Sequence, residues 1–508
     1  MFPIRRASAA LALGTSVLLL SGCFAASGTA EGGGDAGDRV SVAMLLPPRS
    51  GLSPFSDDAF KLSRWRTAET LVQLDAAGDA QPMLATGWSR VDPTTWRFEL
   101  RDDVTFHDGT PLSAGQVADV LTRATRASPP PRILDGVELT ATPDGEDAVL
   151  VSTAVADPLV PQRLSSPQLS VLAPDAYGPD GRVDPAGHGT GPFRLTDVQG
   201  TAGATLDRYD GYWGEPAGVA GIDVSFVPDG TARTAALRTG TADVVEAIPP
   251  GQAPLVDDEL VHEVPMPRTN TLYLNTDRGP FADPAVRAAA REALDRAALV
   301  AGAYEGRADA AEGLLGPALP WAAGLRDDPA YTAALENRPE PAPVDGVPIT
   351  LGTFTDRAEL PEVAVLLEQQ LEAAGFVVTQ DVREYSAIEA DALDGAFDAF
   401  ILSRATVLDS GDPVAYLASD FGCAGGFNLS QFCDPGVQAA LDEAAGLEAG
   451  PERRAATSRA EAAVLGADAA VPLLHERVIQ GESARVDGVA RDPRERDLIT
   501  TGTGVGAP

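Results

Sequence analysis

Lysine is nearly missing from this chain. Lys61 is the single one, and arginine supplies the rest of the cationic side chains. Positive charge is short altogether: 38 Lys and Arg stand against 74 Asp and Glu, a net charge of −36. Such a surface repels phosphate backbones, so nucleic acid is excluded as a partner. Histidine is scarce as well. His107, His188, His262 and His475 are scattered singly, which argues against a bare-metal site. Cysteine is limited to Cys23, Cys423 and Cys433. The last two are ten apart in CAGGFNLSQFC, with no His nearby. In an exported protein such an even pair reads as one short-loop disulfide. The apolar run Ala9–Leu20 has 12 residues, short of the roughly 20 a transmembrane helix needs. No G-x-S-x-G elbow, no H-E-x-x-H helix and no free thiol with a partner His is present, so a secreted hydrolase is disfavoured and no cofactor is implied.

What is there begins at the N-terminus. Arg5 and Arg6 precede the apolar run, which suits a signal h-region. Leu20-Ser21-Gly22-Cys23 follows and resembles the lipobox of bacterial lipoproteins. That resemblance implies residues 1–22 as a signal peptide and Cys23 as the lipid-bearing mature N-terminus. Residues 23–38 are Gly-rich and read as a flexible tether. A chain of 508 residues exceeds one small core, so two or three packed lobes are expected.

Downstream, Val40–Leu46 reads as a strand and PPRSGLSP as a loop. Arg64–Leu74 reads as a helix, TTWRFELR as a half-buried strand, and Ser113 as the N-cap of a helix over Ala114–Ala124. Phe193–Asp197 and Ala204–Arg208 read as paired strands. In the second half strands alternate with helices. Asn270–Asn275 is a strand; Asp283 and Pro284 open a single helix over AVRAAAREALDRAALV; Pro361 and Gly375 bracket another. Strand–helix–strand order predicts an α/β fold with a largely parallel sheet. His107-Asp108-Gly109 reads as a structural turn, and Trp88, Trp96 and Trp213 as packing anchors. Gly187–Gly191 is rejected as a phosphate loop because Pro192 follows, a strand lies downstream and no lysine is present.

Read continuously, residues 67–124 carry P-M-L-A-T-G-W (Pro82–Trp88) and V-T-F-H-D-G-T-P-L-S-A-G-Q-V (Val104–Val117). GTGPFRL, LDRYDGYWG, AALRTGTADVV and LYLNTDRGPFADPAVRAAAREALDR follow in order. These stretches resemble the extracellular solute-binding proteins of family 5, the peptide/nickel type of ABC-transporter binding lipoprotein. Gly115-Gln116-Val117 departs from the family's acid before the last Val. The resemblance implies a periplasmic-binding-protein-like type II fold: two α/β lobes with a hinge plus an extra α+β domain. It places lobe I at 39–66, 190–265 and 480–508, the extra domain at 67–189 and lobe II at 266–479. The crossings are expected near Pro265–Thr269 and Ile479–Ala484.

The resemblance also implies a non-enzymatic role. A lipid-anchored, monomeric receptor captures a peptide-like solute between its lobes and delivers it to an ABC permease. Nickel chelates, opines and sugars are solutes of other branches, and a surface sensor is a further alternative. By position Asp409 matches the residue that receives a peptide's ammonium group, which needs an ionised anion. Asp412 before Pro413 reads as either a second contact or a helix cap. Thr406 stands where peptide-binding relatives often carry Trp. Asn428, inside the Cys423–Cys433 loop, is expected near the ligand, and Ser50 and Ser53 are expected to supply polar contacts. Arg404 and Arg383 are candidates for a terminal carboxylate.

Overall fold

A computed structural model describes residues 38–407 and 410–506. Its centre is a sheet of eleven strands. In chain order these are β1 (Arg39–Met44), β2 (Phe193–Val198), β3 (Gly203–Arg208), β4 (Gly221–Phe226), β5 (Val244–Val245), β6 (Val261–Leu274), β7 (Ala308–Ala310), β8 (Val347–Phe354), β9 (Phe376–Arg383), β10 (Ala399–Ala405) and β11 (Ala470–Glu482). Across the sheet the order is β9-β8-β10-β6-β11-β5-β1-β4-β3-β2, with β7 also on β11.

The sheet is mixed, not largely parallel. β1 runs parallel to β4 and β5, and β8 runs parallel to β9 and β10. The other pairings are antiparallel. The β2–β3 hairpin accounts for part of this. The rest comes from β6 and β11, which pass side by side through the middle of the molecule.

The β6–β11 ladder shifts register at two places, between Pro265 and Thr269 and again between Asn270 and Thr271, and the first is the larger. Pro265 pairs with Arg477 and Thr269 pairs with His475, so four steps on β6 oppose two on β11. Pro265 and Pro267 have no N–H to donate, which explains why the ladder gives way here. Bulges of this kind re-aim side chains. On its other edge β6 keeps its register, with Arg268 opposite Ala405 on β10.

Separate apolar cores flank this pair of strands. One is drawn from residues 272–474 and includes Leu272, Leu351, Leu367 and Leu473. A second is drawn from residues 71–173 and contains Phe98, Phe106 and Trp96, with Trp88 and Trp213 packed against it. A third joins Val40, Trp65, Phe193, Ile222 and Ile499. All three tryptophans therefore serve as packing groups. Residues 85–153 supply a four-stranded antiparallel sheet, and the helix Ala114–Arg126 closes it. Ser113 caps that helix in a reciprocal box with Gln116.

Two helix expectations need correction. The helix near Trp65 is Ala59–Arg64, not Arg64–Leu74. Arg66 adopts a φ of +50°, which ends the helix, and Thr67–Leu71 runs on as extended and bridging backbone. The expected single helix after Pro284 is two, Pro284–Ala293 and Arg296–Ala303. Leu294 is extended, and Asp295 caps the second helix through Ala298 N at 3.0 Å.

Gly189 and Gly191 have a packing reason. A Cβ at either would meet the carbonyl oxygen of Thr67 or Arg66 at 1.8 and 2.0 Å. His107 locks the same junction, with Nε2 2.8 Å from the Gly191 carbonyl. It is the structural histidine the turn suggested.

Candidate functional site

A cavity of about 340 Å³ opens where β6 and β11 meet the loop after β1. Val264, Arg268, Val478 and Gln480 form its floor. Leu45, Pro47 and Arg49 form one wall, and Phe60, Lys61 and Arg64 of the helix Ala59–Arg64 form another. Residues 492–498 contribute Asp492, Glu495, Asp497 and Leu498. A wider cavity of about 760 Å³ adjoins it and shares Asp57 and Arg132.

The loop after β1 is organised by one buried carboxylate. Asp58 accepts hydrogen bonds from Arg49 N, Ser50 N and Ser50 Oγ at 2.7–2.9 Å, and pairs with Lys61 Nζ at 3.1 Å. These bonds hold its pKa below the usual carboxylate value, although burial pulls the other way. Ser50 is thus spent on Asp58 and on Ser56 Oγ at 2.5 Å. Ser53 accepts from Phe55 N and Ser56 Oγ. Both serines border the wider cavity, beside Phe55 and Tyr177.

Charge pairing in the first cavity is nearly complete. Arg64 bridges Glu246 and Glu495, the latter at 2.7 Å. Arg132 stands 3.5 Å from Asp57. Asp492 accepts from the backbone of Arg494 and Arg496. Two arginines are exceptions: among the described residues neither the Arg49 nor the Arg268 guanidinium has a hydrogen-bond or ion-pair partner. Burial, and then the neighbouring Arg357 charge, push the Arg268 pKa down. Sequence reasoning missed Arg268. The available signal was its place between Pro267 and Thr269 in the expected crossing.

The other expected residues are spread out. Asp409 and Cys23 lie outside the described residues. Thr406 is buried and turned to the hinge strand, its Oγ1 3.3 Å and its N 2.8 Å from the Pro267 carbonyl. Asp412, just before the helix Val414–Phe421, accepts from Val414 N at 3.0 Å and takes Arg453 on both oxygens at 2.7 and 3.1 Å. Asn428 turns inward on its own loop, bonded to the Phe432 N and carbonyl at 3.0 and 2.6 Å. The disulfide Cys423–Cys433 closes that loop, as expected. Arg383 is paired with Asp381 and Asp391, far along the edge strand β9. Arg404 is engaged by buried Asp420.

Two α/β lobes joined by adjoining strands, with an extra α+β portion, make a type II periplasmic-binding-protein-like fold. Similar proteins narrow this further. The family described as bacterial extracellular solute-binding proteins, family 5 middle, matches residues 79–428. The nickel-binding periplasmic protein of Escherichia coli K12 is 29% identical over 383 residues, 69% of this chain and 72% of that one. A probable di/tripeptide-binding protein of Pseudomonas aeruginosa is 26% identical over 465 residues, 83% of this chain and 87% of the other. A nickel ABC transporter structure from Bacillus halodurans superposes with a TM-score of 0.78 at 26% identity, covering 92% of this chain and all of that one. The chain belongs to family 5 of the extracellular solute-binding proteins. It is a binding component of an ABC importer and not an enzyme.

Proposed function

We propose that the cavity against β6 and β11 is part of the solute site and that the solute is peptide-like. The observation that carries this is the cavity itself. It lies on the two strands that join the lobes, where closure about a hinge encloses a ligand. A relative matched over 83% of this chain is named for di- and tripeptides. Asp409 is the proposed acceptor of the solute's ammonium group. Lobe I (39–66, 190–265, 480–508), the extra domain (67–189) and lobe II (266–479) are the proposed moving parts.

A nickel solute is the second reading, because other relatives are named for nickel. Among the described residues no group of three or more His, Cys, Asp or Glu is placed to hold a metal ion. Burial pushes His107 and His475 down to about 4, and both are engaged in the fold. Nickel would therefore arrive inside an organic chelate.

We further propose that the protein works as a monomer held to the outer face of the cell membrane through lipid on Cys23. Among the described residues no helix is long and apolar enough to cross a membrane. Calorimetry with di- and tripeptides, and with nickel–histidine chelate, tests the solute class. Small-angle scattering reads closure. Binding of peptides with compaction is the expected result. Binding of the chelate alone overturns the peptide reading. Cys23→Ala should release ligand-competent protein into the medium, and retention at the membrane would refute the anchor.

A further inference from the structure

A cavity of about 330 Å³ lies at the other end of β11. It shares no lining residue with the two cavities of the cleft. Pro472 is on its wall and Val478 is in the cleft floor, about 20 Å further along an extended strand. Its walls carry three arginines, Arg291, Arg296 and Arg338, and two acids, Asp468 and Glu312. In a chain with 74 acids and 38 bases, a pocket with this balance is a local reversal of charge. The fold assembles it from separate segments. Arg291 stands in the last turn of the helix Pro284–Ala293, Arg296 opens the helix Arg296–Ala303, and Arg338 follows the helix Pro329–Glu336.

The acids do not match the arginines. Asp468 is buried and shared among Arg291, Arg338 and Arg287. It bonds Arg291 Nη1 at 2.5 Å and stands 3.7 Å from Arg338 Nε. Arg291 takes a second carboxylate from exposed Glu292, at 2.9 Å. Glu312 is exposed and pairs with Arg326 at 3.4 Å. Arg296 and Arg338 are left short of anions. Arg296 Nε donates to the Pro472 carbonyl at 2.7 Å, and Arg338 Nε donates to the Leu465 carbonyl at 2.9 Å. Among the described residues neither guanidinium has a hydrogen-bond partner for Nη1 or Nη2, and Arg296 has no ion pair. Burial, and then the Arg291 charge, push the Arg296 pKa down. Burial pushes the Arg338 pKa down as well, and Arg291 and Arg296 add to this against the pull of Asp468.

Each Nε bond anchors one edge of a guanidinium and leaves its Nη groups to spare. Like charges gathered in a half-buried pocket repel, and an arriving anion removes that cost. A carboxylate is satisfied by a single fork. A phosphate offers more oxygens and more negative charge, enough for two forks on different segments.

We propose that this cavity is a second binding site, separate from the solute cleft, and that Arg296 and Arg338 hold a phosphate oxyanion there. Arg291 adds fixed positive charge beside them. The phosphate is either the free ion or the headgroup phosphate of an anionic lipid, and the two share the chemistry that the arginines recognise. The site does not depend on which solute the cleft takes.

The test is calorimetry on the full chain carrying Cys23→Ala, in phosphate-free buffer. The probes are inorganic phosphate and, at matched ionic strength, acetate and chloride. Sedimentation with phosphatidylglycerol and with phosphatidylcholine vesicles covers the lipid source. Arg296→Gln, Arg338→Gln and Arg296→Lys are compared with this parent, and Arg97→Gln, on another surface, serves as the control. The parent should bind phosphate more tightly than acetate. Each Gln variant should weaken phosphate about 10-fold or more, the value of a charge-assisted hydrogen bond. Arg296→Lys keeps the charge, loses the fork and should fall between. Phosphate should raise the melting temperature of the parent and raise that of either Gln variant less. That increment is read within one protein, so a change in a variant's own stability does not obscure it. Binding in the cleft, read with peptide or nickel–histidine chelate, should be the same in all variants.

Binding of inorganic phosphate without vesicles supports the free ion. Binding of phosphatidylglycerol but not phosphatidylcholine, lost in the Gln variants, supports the lipid. The proposal is overturned if neither binds, if acetate or chloride binds as tightly as phosphate, or if binding is undiminished in both Gln variants. Failure of every peptide to bind would remove the peptide reading and leave this site standing.

Discussion

Arg404 grips Asp420 with two near-parallel hydrogen bonds, Nη2 to Oδ1 at 2.8 Å and Nε to Oδ2 at 3.0 Å. Asp420 is fully buried and also accepts from Tyr273 OH at 3.0 Å. Arg404 lies 4.3 Å from the Phe427 ring centre. This arginine looked from the sequence like a solute contact, and the fold has used it as a counter-ion.

Arg404→Gln should therefore cost stability and spare binding. Removing one member of a buried pair costs about 3–5 kcal/mol because the other charge is stranded. Burial already pushes the Asp420 carboxyl up to about 6 against the opposing pull of Arg404. Without Arg404 it protonates more readily still, so the deficit should be largest above pH 6 and shrink in acid. The double variant Arg404→Gln, Asp420→Asn should recover most of the loss. Urea unfolding at two pH values checks both statements.

Glu461 gives a pH signature of its own. It is buried on the helix Pro451–Gly466, with Oε1 accepting from Leu315 N at 2.9 Å. Burial pushes its pKa up to about 7 from 4.5. Between those values the folded protein holds more protons than the unfolded one, so stability from this group rises as pH falls from about 7 to about 4.5. The full swing is at most about 3.5 kcal/mol. Glu461→Gln keeps the acceptor oxygen and removes the titration. It should be more stable than wild type above pH 7, with the difference vanishing toward pH 4.5. Parallel slopes for the two proteins would show that Glu461 does not titrate in this window.

The Cys423–Cys433 bridge closes a loop whose interior bonds run through Asn428. Closing about ten residues contributes about 3 kcal/mol in the chain-entropy account. Cys423→Ser, Cys433→Ser should lose about that much. It should also raise hydrogen exchange at Phe432 N, which donates to Asn428 Oδ1. Unchanged exchange there would mean that Asn428 holds the loop unaided.

Much of the fold was legible because it follows local rules. Ser113 with Gln116, Asp283 with Pro284 and Gly375 at φ +107° are cap and stop signals that act within a few residues. The family stretches carried the architecture. The site was less legible because pairing is a tertiary matter. Nothing in the sequence tells that Arg404 meets Asp420, 16 residues on, or that Asp412 meets Arg453, 41 residues on. Nor does it tell that Glu476 is already taken by Arg357, Asn270 and Ser403 when Arg268 arrives beside it. The Arg64–Leu74 error has the same origin. Apolar spacing there suited a helix, but the left-handed Arg66 and the close approach of Gly189 and Gly191 turned the chain.

Two aspartates three residues apart should behave oppositely. Asp412 accepts from Val414 N and holds Arg453, whose guanidinium also donates to the carbonyls of Ala444, Ala445 and Leu447. Asp412→Ala removes the hydrogen bond from Val414 N, worth about 1 kcal/mol, and strands a buried cation that still has three carbonyl acceptors. A loss of about 2–4 kcal/mol follows. Peptide affinity per folded molecule should be unchanged. For Asp409, the proposed ammonium acceptor, the expectation reverses: Asp409→Ala should keep the melting temperature and lose peptide affinity by 10-fold or more, roughly the value of a charge-assisted pair. Melting curves and calorimetry on both variants separate the roles. Should Asp409→Ala bind peptides like wild type, the cationic end of the solute is held elsewhere. Should Asp412→Ala lose affinity without losing stability, Asp412 is a solute contact.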